Sequence, residues 1–417
     1  MANTYLTRTT NTSGASRTTW TWSGWIKRGT ISDGSQVLVS AYGDSNNYME
    51  ARISSPDNLQ FRALVGGNWV GRKYSNRKFR DNSGWYNLVL VWDTTNSTAS
   101  ERMRIYVNGV QETSFATSEN PGSGQVGEIN ASGTMQIGAK NGADFFNGSM
   151  SYVAFVDGTA ELPTIFGETD SVTGQWKIKT DITPSVAWGT NGFLILKNGN
   201  SLTDESTNTN NFTLGAGTLT NTLDCPSNVF ATGNSLDTPY TNYTFSNGNN
   251  TLTSTTGGGY TFSTATLGMT SGKYYWEAKA VSKSAGIDNW VIGFTSASAV
   301  NSTTVPGALV TGYGMYAYSG VIYNAGSTAY GVTYGVGDII GIALDLDNLK
   351  AYWSKNGVWV SSANPSTNSG GYTITAPVGN IGAYVPAWSW YEGDSNTGQT
   401  SYNFGNGYFG TTAVSSA

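Results

Sequence analysis

Three observations predict an all-β chain made of two antiparallel β-sandwiches joined by a partly ordered connector. First, turn-forming residues punctuate the whole sequence: 53 of 417 residues are glycine, Ser, Thr and Asn are abundant, and only 10 are proline. Second, the segments between these turns are filled by Val, Ile, Tyr and Trp, the residues that suit a pleated, half-buried surface. Third, no segment sustains the period of an amphipathic helix. Domains cluster at roughly 100 to 200 residues, so a chain of this length holds more than one.

The first sandwich is placed at residues 1–157. In Trp20-Thr-Trp-Ser-Gly-Trp-Ile, Trp20 and Trp22 fall on one face of a strand by period two, and Trp25 follows the break at Gly24. All three are assigned to the core. Trp85-Tyr-Asn-Leu-Val-Leu-Val-Trp-Asp is followed by the polar turn Thr94 to Ser100. Polar and apolar residues then alternate from Arg102 to Val107, and Asn108-Gly109 supplies a positive-φ turn. The set closes with Phe146-Asn-Gly-Ser-Met-Ser-Tyr-Val-Ala-Phe-Val-Asp.

A connector is placed at 158–239, where long alternating strands stop. Structureless linkers of that length are uncommon in folded proteins. The apolar run Phe193-Leu-Ile-Leu, together with Trp176, Trp188 and Phe212, predicts that it packs against a sandwich.

The second sandwich is placed at 240–417. Ile339–Asp345 and Leu349–Ser354 form a hairpin around an Asp-Asn turn, and a second tight turn follows at Asn356-Gly357. Asp345 and Asp347 belong to that turn. As an i, i+2 pair on one strand they do not form the facing carboxylates, roughly 5 to 9 Å apart, that a glycosidase requires. Gly-aromatic steps at Gly312-Tyr-Gly-Met-Tyr-Ala-Tyr-Ser-Gly and Ile322-Tyr-Asn-Ala-Gly combine close backbone approach with large packing area.

Composition narrows the chemistry. There is no histidine, so no imidazole base, Ser-His-Asp triad or histidine-bound metal can form. Cys225 is the one cysteine, which leaves no intrachain disulfide or thiolate cluster. The net charge is −5 and charged residues make up 12%, so no broad basic face is available to nucleic acid. No apolar run is long enough to insert in a membrane, and the polar opening lacks the core of a secretion signal. The expectation is a non-enzyme made in a cytoplasm and released by lysis.

A sugar site needs a flat aromatic face for the C–H surface and nearby polar groups for the hydroxyls. Trp69, in Gly66-Gly-Asn-Trp-Val-Gly-Arg-Lys with Arg72 and Lys73, offers both; the competing reading, a tryptophan capping the sandwich edge, is preferred. The basic cluster Arg72, Lys73, Arg77, Lys78 and Arg80 reads either as a site for acidic sugars or, preferentially, as a solvated edge that blocks edge-to-edge pairing.

The first set of strands is similar to the laminin-G or concanavalin-A-like lectin sandwich. Gly272-Lys-Tyr-Tyr-Trp-Glu-Ala, Val291-Ile-Gly-Phe-Thr, the 337–359 hairpin and the closing Ser401-Tyr-Asn-Phe-Gly resemble the SPRY module. In that order, with the connector phrases FGETDSVTGQW and DESTNTNNFT and with Cys225-Pro-Ser-Asn-Val-Phe-Ala-Thr, the whole resembles virion proteins of tailed phages, of the tail fibre, spike or decoration type. That resemblance implies a location on the particle surface, other virion proteins as partners, recognition of a host-surface glycan or protein, and self-association, with a trimer expected by analogy. Two other functions stay open: a capsid or tail cement protein without receptor role, and a polysaccharide depolymerase. SPRY-family members bind through loops at one end of the sandwich. The matching positions here are Asp288, Asn289 and Trp290, then Tyr316 and Tyr318, then Trp388, Trp390 and Tyr391, with at least one of the last three expected to be exposed. No organic cofactor is implied. Lectin-like sandwiches often hold calcium, for which Asp44 and Asp144 are the oxygen-rich candidates, an ordinary Asx-turn being the preferred alternative for each.

Overall fold

Strand pairing follows the alternation read from the sequence, and it builds two sandwiches. The computed structural model describes residues 3–31, 34–237, 243–254, 260–297, 305–308, 310–391 and 396–414, with residues 260 and 391 described by backbone alone. The chain divides into two units, Met1–Val229 and Phe230–Ala417. Among the described residues there is no α-helix, and so none long and apolar enough to cross a membrane.

In the first unit an eight-stranded antiparallel sheet runs in the order Phe115–Glu119, Asn68–Lys78, Asn58–Val65, Asn47–Ser54, Ser35–Asp44, Gly133–Ile137, Tyr5–Thr10, Thr213–Ala216. It faces a six-stranded sheet ordered Phe193–Ile195, Gly148–Asp157, Thr19–Arg28, Tyr86–Asp93, Met103–Val107, Val110–Gln111. The alternation in 103–107 puts Met103, Ile105 and Val107 in the core, and Asn108 and Gly109 turn the chain at φ 48° and 79°. Trp20 and Trp22 are fully buried, Trp20 stacking on Trp92 and meeting Phe61 edge-on. Trp25 is buried as well.

The stretch read as a connector supplies strands to both sheets: Phe193–Ile195 pairs with Gly148–Asp157, and Thr213–Ala216 pairs with Tyr5–Thr10. Phe193 and Ile195 enter the main core, while Leu194 joins a second apolar layer on the outer face of the six-stranded sheet. There Phe166, Ile182, Val186 and Trp188 cover Val89, Val91, Ala154 and Val156. An unbroken apolar run in the sequence is what a strand buried on both faces requires.

The DESTNTNNFT phrase locks this arrangement. The Asp204 carboxylate accepts hydrogen bonds from the amides of Leu194, Ser206 and Asn210 and from the Ser206 hydroxyl. Asn208 and Asn210 donate to the carbonyls of Gly189, Thr190 and Gly192. Asp204→Ala strips a buried loop of its shared acceptor, so it is expected to lower unfolding stability by about 2–4 kcal/mol. Limited proteolysis should then cut between residues 189 and 212; an unchanged digest would contradict the role assigned to this carboxylate.

The second unit pairs an eight-stranded sheet with a six-stranded one. The larger runs Tyr243–Ser246, Thr251–Ser254, Gly398–Asn403, Lys273–Lys283, Ile339–Asp345, Lys350–Lys355, Val358–Trp359, with Tyr372–Thr373 also pairing on Lys350–Lys355. The smaller runs Tyr260–Thr264, Val385–Tyr391, Trp290–Thr295, Gly312–Tyr316, Val321–Tyr323, Ser327–Ala329. Between them lie Trp276, Trp290, Trp353, Trp388 and Trp390. Asp345 accepts from the Asn348 amide and pairs with Lys273, and Asp347 accepts from the Gly272 amide, so both carboxylates serve the hairpin turn and its neighbour strand.

Candidate functional site

The outward side chains of Gly312–Tyr316 alternate with its core residues Tyr313 and Met315, so Gly312, Gly314 and Tyr316 share the solvent side of the six-stranded sheet of the second unit. Gly314 has to be glycine, because a Cβ there would lie 2.5 Å from the Pro306 carbonyl oxygen. The missing side chain lets the 305–308 segment cross the strand at backbone distance.

Beyond that crossing, Tyr316 stacks on Tyr323 of the adjoining strand, with ring centres 5.7 Å apart and planes 28° apart. The Tyr316 hydroxyl donates to Asn289 Oδ1 at 2.9 Å, and Asn289 is buried. Tyr318 flanks Tyr316 at 6.2 Å and is 59% exposed. Asn324 Nδ2 donates to the Gly312 carbonyl oxygen, which fixes the far wall. Together Asn289, Val291, Val305, Tyr316, Tyr323 and Ser327 bound an open cleft of about 580 Å³. An aromatic wall with a few convergent polar groups is the usual make-up of a ligand pocket of this size.

Residues 2–165 match the family model of the concanavalin A-like lectin/glucanases superfamily, and residues 273–394 match that of the SPRY domain. The chain carries a concanavalin A-like domain and a SPRY domain. Among solved structures, the SPRY domain of human HERC1 is 19% identical, with a TM-score of 0.29, over 37% of this chain and 89% of that one. A human SPRY domain is likewise 19% identical, with a TM-score of 0.31, over 39% of this chain and 96% of that one. No curated protein matches the chain.

The SPRY domain corrects part of the expected loop patch. Gly312–Tyr316 and Val385–Tyr391 are strands. Trp388 and Trp390 lie two residues apart on the inward face of one strand, and Trp290 pairs opposite Trp390, so all three are fully buried in the core and none offers a recognition surface. The expectation from sequence was that at least one of Trp388, Trp390 and Tyr391 is exposed; period two buries the first two together. The Tyr391 side chain lies outside the described residues. Asn289, Tyr316 and Tyr318 are brought together, and Asp288, the next residue along, pairs with Lys283 at 2.8 Å. Tyr323 was missed; its signal is its parity, opposite to the core residue Ile322.

In the concanavalin A-like domain, Trp69 begins the Asn68–Lys78 strand and is half-buried against Tyr48, at right angles and 6.0 Å away. The guanidiniums of Arg62 and Arg72 lie over its ring at 5.1 and 5.4 Å. Arg72 pairs with Glu119 at 2.6 Å, and that hydrogen bond holds the Glu119 carboxyl below its usual range. Arg77 pairs with Glu112 and Arg80 with Asp57. Lys73 lies over the Phe115 ring at 4.7 Å, and burial pushes its ammonium pKa down. Glu50, fully buried on the same face, receives Arg62, Lys140 and Arg52. Arg72, Arg77 and Arg80 of this cationic run are thus each paired with an acid of the same chain.

Of the oxygen-rich candidates, Asp44 accepts from the Asn46 amide and the Asn47 side chain in an Asx-turn, and Asp144 stands 3.9 Å from Lys140. Among the described residues no three acidic, histidine or cysteine side chains converge on one point.

Proposed function

We propose that this protein recognises a glycan or protein on a host surface through the SPRY cleft, as a non-enzymatic component exposed on a tailed-phage particle. The observation that carries this reading is the cleft itself, where Tyr316 and Tyr323 form a stacked wall beside the buried Asn289 amide. Binding without turnover accords with a histidine-free chain whose Asp345 and Asp347 are committed to a turn and whose Glu50 is held by three cations. The order of the two domains and of the connector phrases, which resembles phage structural proteins, supports the virion location. Self-association, as a trimer, would raise the avidity of weak single contacts.

Tyr316→Ala removes one ring of the wall and the donor to Asn289. Adsorption of the labelled protein to host cells is expected to weaken about tenfold or more, with the melting temperature nearly unchanged. A protein that binds isolated particles but neither cells nor a glycan array would instead be a cement subunit. Release of oligosaccharides from host envelope polysaccharide would overturn the non-enzymatic reading.

A further inference from the structure

The outer face of the larger SPRY sheet, on the other sheet from the cleft, carries an arrangement with no role in the reading above. Across this face the strand register aligns Asn403, Glu277, Gly341, Ser354 and Trp359 in one row. Tyr275, two residues before Glu277 on the same face, is 52% exposed. Its ring leans over Gly341: a Cβ built there would lie 2.5 Å from both the Tyr275 hydroxyl and Ser354 Oγ, and 3.1 Å from Tyr275 Cε2. Glycine at 341 therefore lets a tyrosine lie along the sheet instead of standing up from it. Trp359 meets Tyr275 at 69° with centroids 6.3 Å apart, and Tyr352 braces Trp359 from below the surface.

The polar partner is built in. The Tyr275 hydroxyl donates to Glu277 Oε1 at 2.8 Å, and Asn403 Nδ2 donates to Glu277 Oε2 at 3.2 Å. Burial and the neighbouring carboxylate both raise the Tyr275 pKa, so the phenol stays a donor. A carboxylate offers roughly four lone-pair positions, so these two bonds leave Glu277 acceptor capacity beside the ring. A half-exposed flat ring, a tryptophan wall at a steep angle and an oriented carboxylate match the C–H face and hydroxyl edge of a pyranose. The Glu277 charge disfavours uronic or sulfated sugars.

We propose that this face of the SPRY domain binds a pyranose of a neutral glycan, stacked on Tyr275 against Trp359 with its hydroxyls donated to Glu277. Affinity gel electrophoresis of the full chain through hydroxyethylcellulose, galactomannan and soluble starch tests it. At least one polysaccharide is expected to retard the wild type. Tyr275→Ala, at an exposed position that leaves folding intact, should reduce that retardation about tenfold or more. Tyr275→Phe keeps the stack and should cost only about two- to fivefold. Retardation by none of the three polysaccharides would overturn the proposal, as would equal retardation of Tyr275→Ala and wild type. Retardation lost in Tyr316→Ala but kept in Tyr275→Ala would assign the sugar to the cleft, upholding the earlier reading and overturning this one. A dimer that Tyr275→Ala dissolves, without polysaccharide binding, would show that a second copy covers this face and would overturn it too.

Discussion

Trp390→Ala is expected to lower the unfolding free energy of the SPRY domain by about 3–5 kcal/mol, among the largest effects a single truncation produces. Trp390 is fully buried, packs edge-on against Trp290 with centroids 4.7 Å apart, and donates its indole N–H to the Asn396 carbonyl oxygen at 3.1 Å. Alanine leaves a void between the two sheets that the paired strands cannot close, because their backbones are fixed by the ladder from Trp290–Trp390 to Thr295–Val385. It also leaves that carbonyl short of a donor. Urea melts followed by far-ultraviolet circular dichroism read the loss directly. The same melts on Tyr316→Ala should move little, and the contrast separates a core tryptophan from a cleft tyrosine. A Trp390→Ala protein that melts like the wild type yet fails to bind would return the 388–391 segment to the recognition surface.

Hairpins were legible because their signals are local. Asn108-Gly109 and Asn356-Gly357 specify positive φ at two successive residues, and the structure has them at 48° and 79° and at 51° and 81°. Trp20 and Trp22 were legible as core for the same reason: parity along one strand is a property of that strand alone. The role of residues 158–229 was not, since their strands pair with partners far away in sequence, Thr213–Ala216 with Tyr5–Thr10 for example. What the sequence did carry was the apolar run at Phe193, and it pointed to burial without naming the surface.

The candidate site was legible in part. Asn289, Tyr316 and Tyr318 follow from position within the SPRY-like order, but their meeting with Tyr323 depends on the register Gly314↔Tyr323, which no local signal encodes. The basic cluster shows the reverse. Its charges stand out in sequence as a run, while the acids that balance it, Glu112 and Glu119, sit on or beside a strand some 40 residues away and come alongside only through pairing. A composition-level reading sees the cations and misses their neutralisation.

The second large effect is expected at Asp57→Ala in the concanavalin A-like domain. Arg28 and Asp57 each have side chains 1% exposed and pair at 2.9 Å, while Arg28 also donates to the carbonyl oxygens of Phe79 and Thr30. Removing the carboxylate takes from the buried guanidinium its ion pair with Asp57 and from Arg80 its pairing with the same group, so the domain should lose about 3–5 kcal/mol. An exposed pair gives the comparison: Lys177, beside Glu168 at 3.3 Å with both side chains about half exposed, should cost far less when changed to alanine, because water already screens that attraction. The pairing of Arg28 with Asp57 has a further signature. When both are neutralised, as in Arg28→Met with Asp57→Asn, which keeps at position 57 a residue that tolerates its φ of 73°, this pair no longer has charge to desolvate, and part of the loss should return. Urea unfolding of the two single variants and the double variant measures this. If Asp57→Ala and the double variant prove equally unstable, the damage comes from the turn around residue 57, and the charge argument fails.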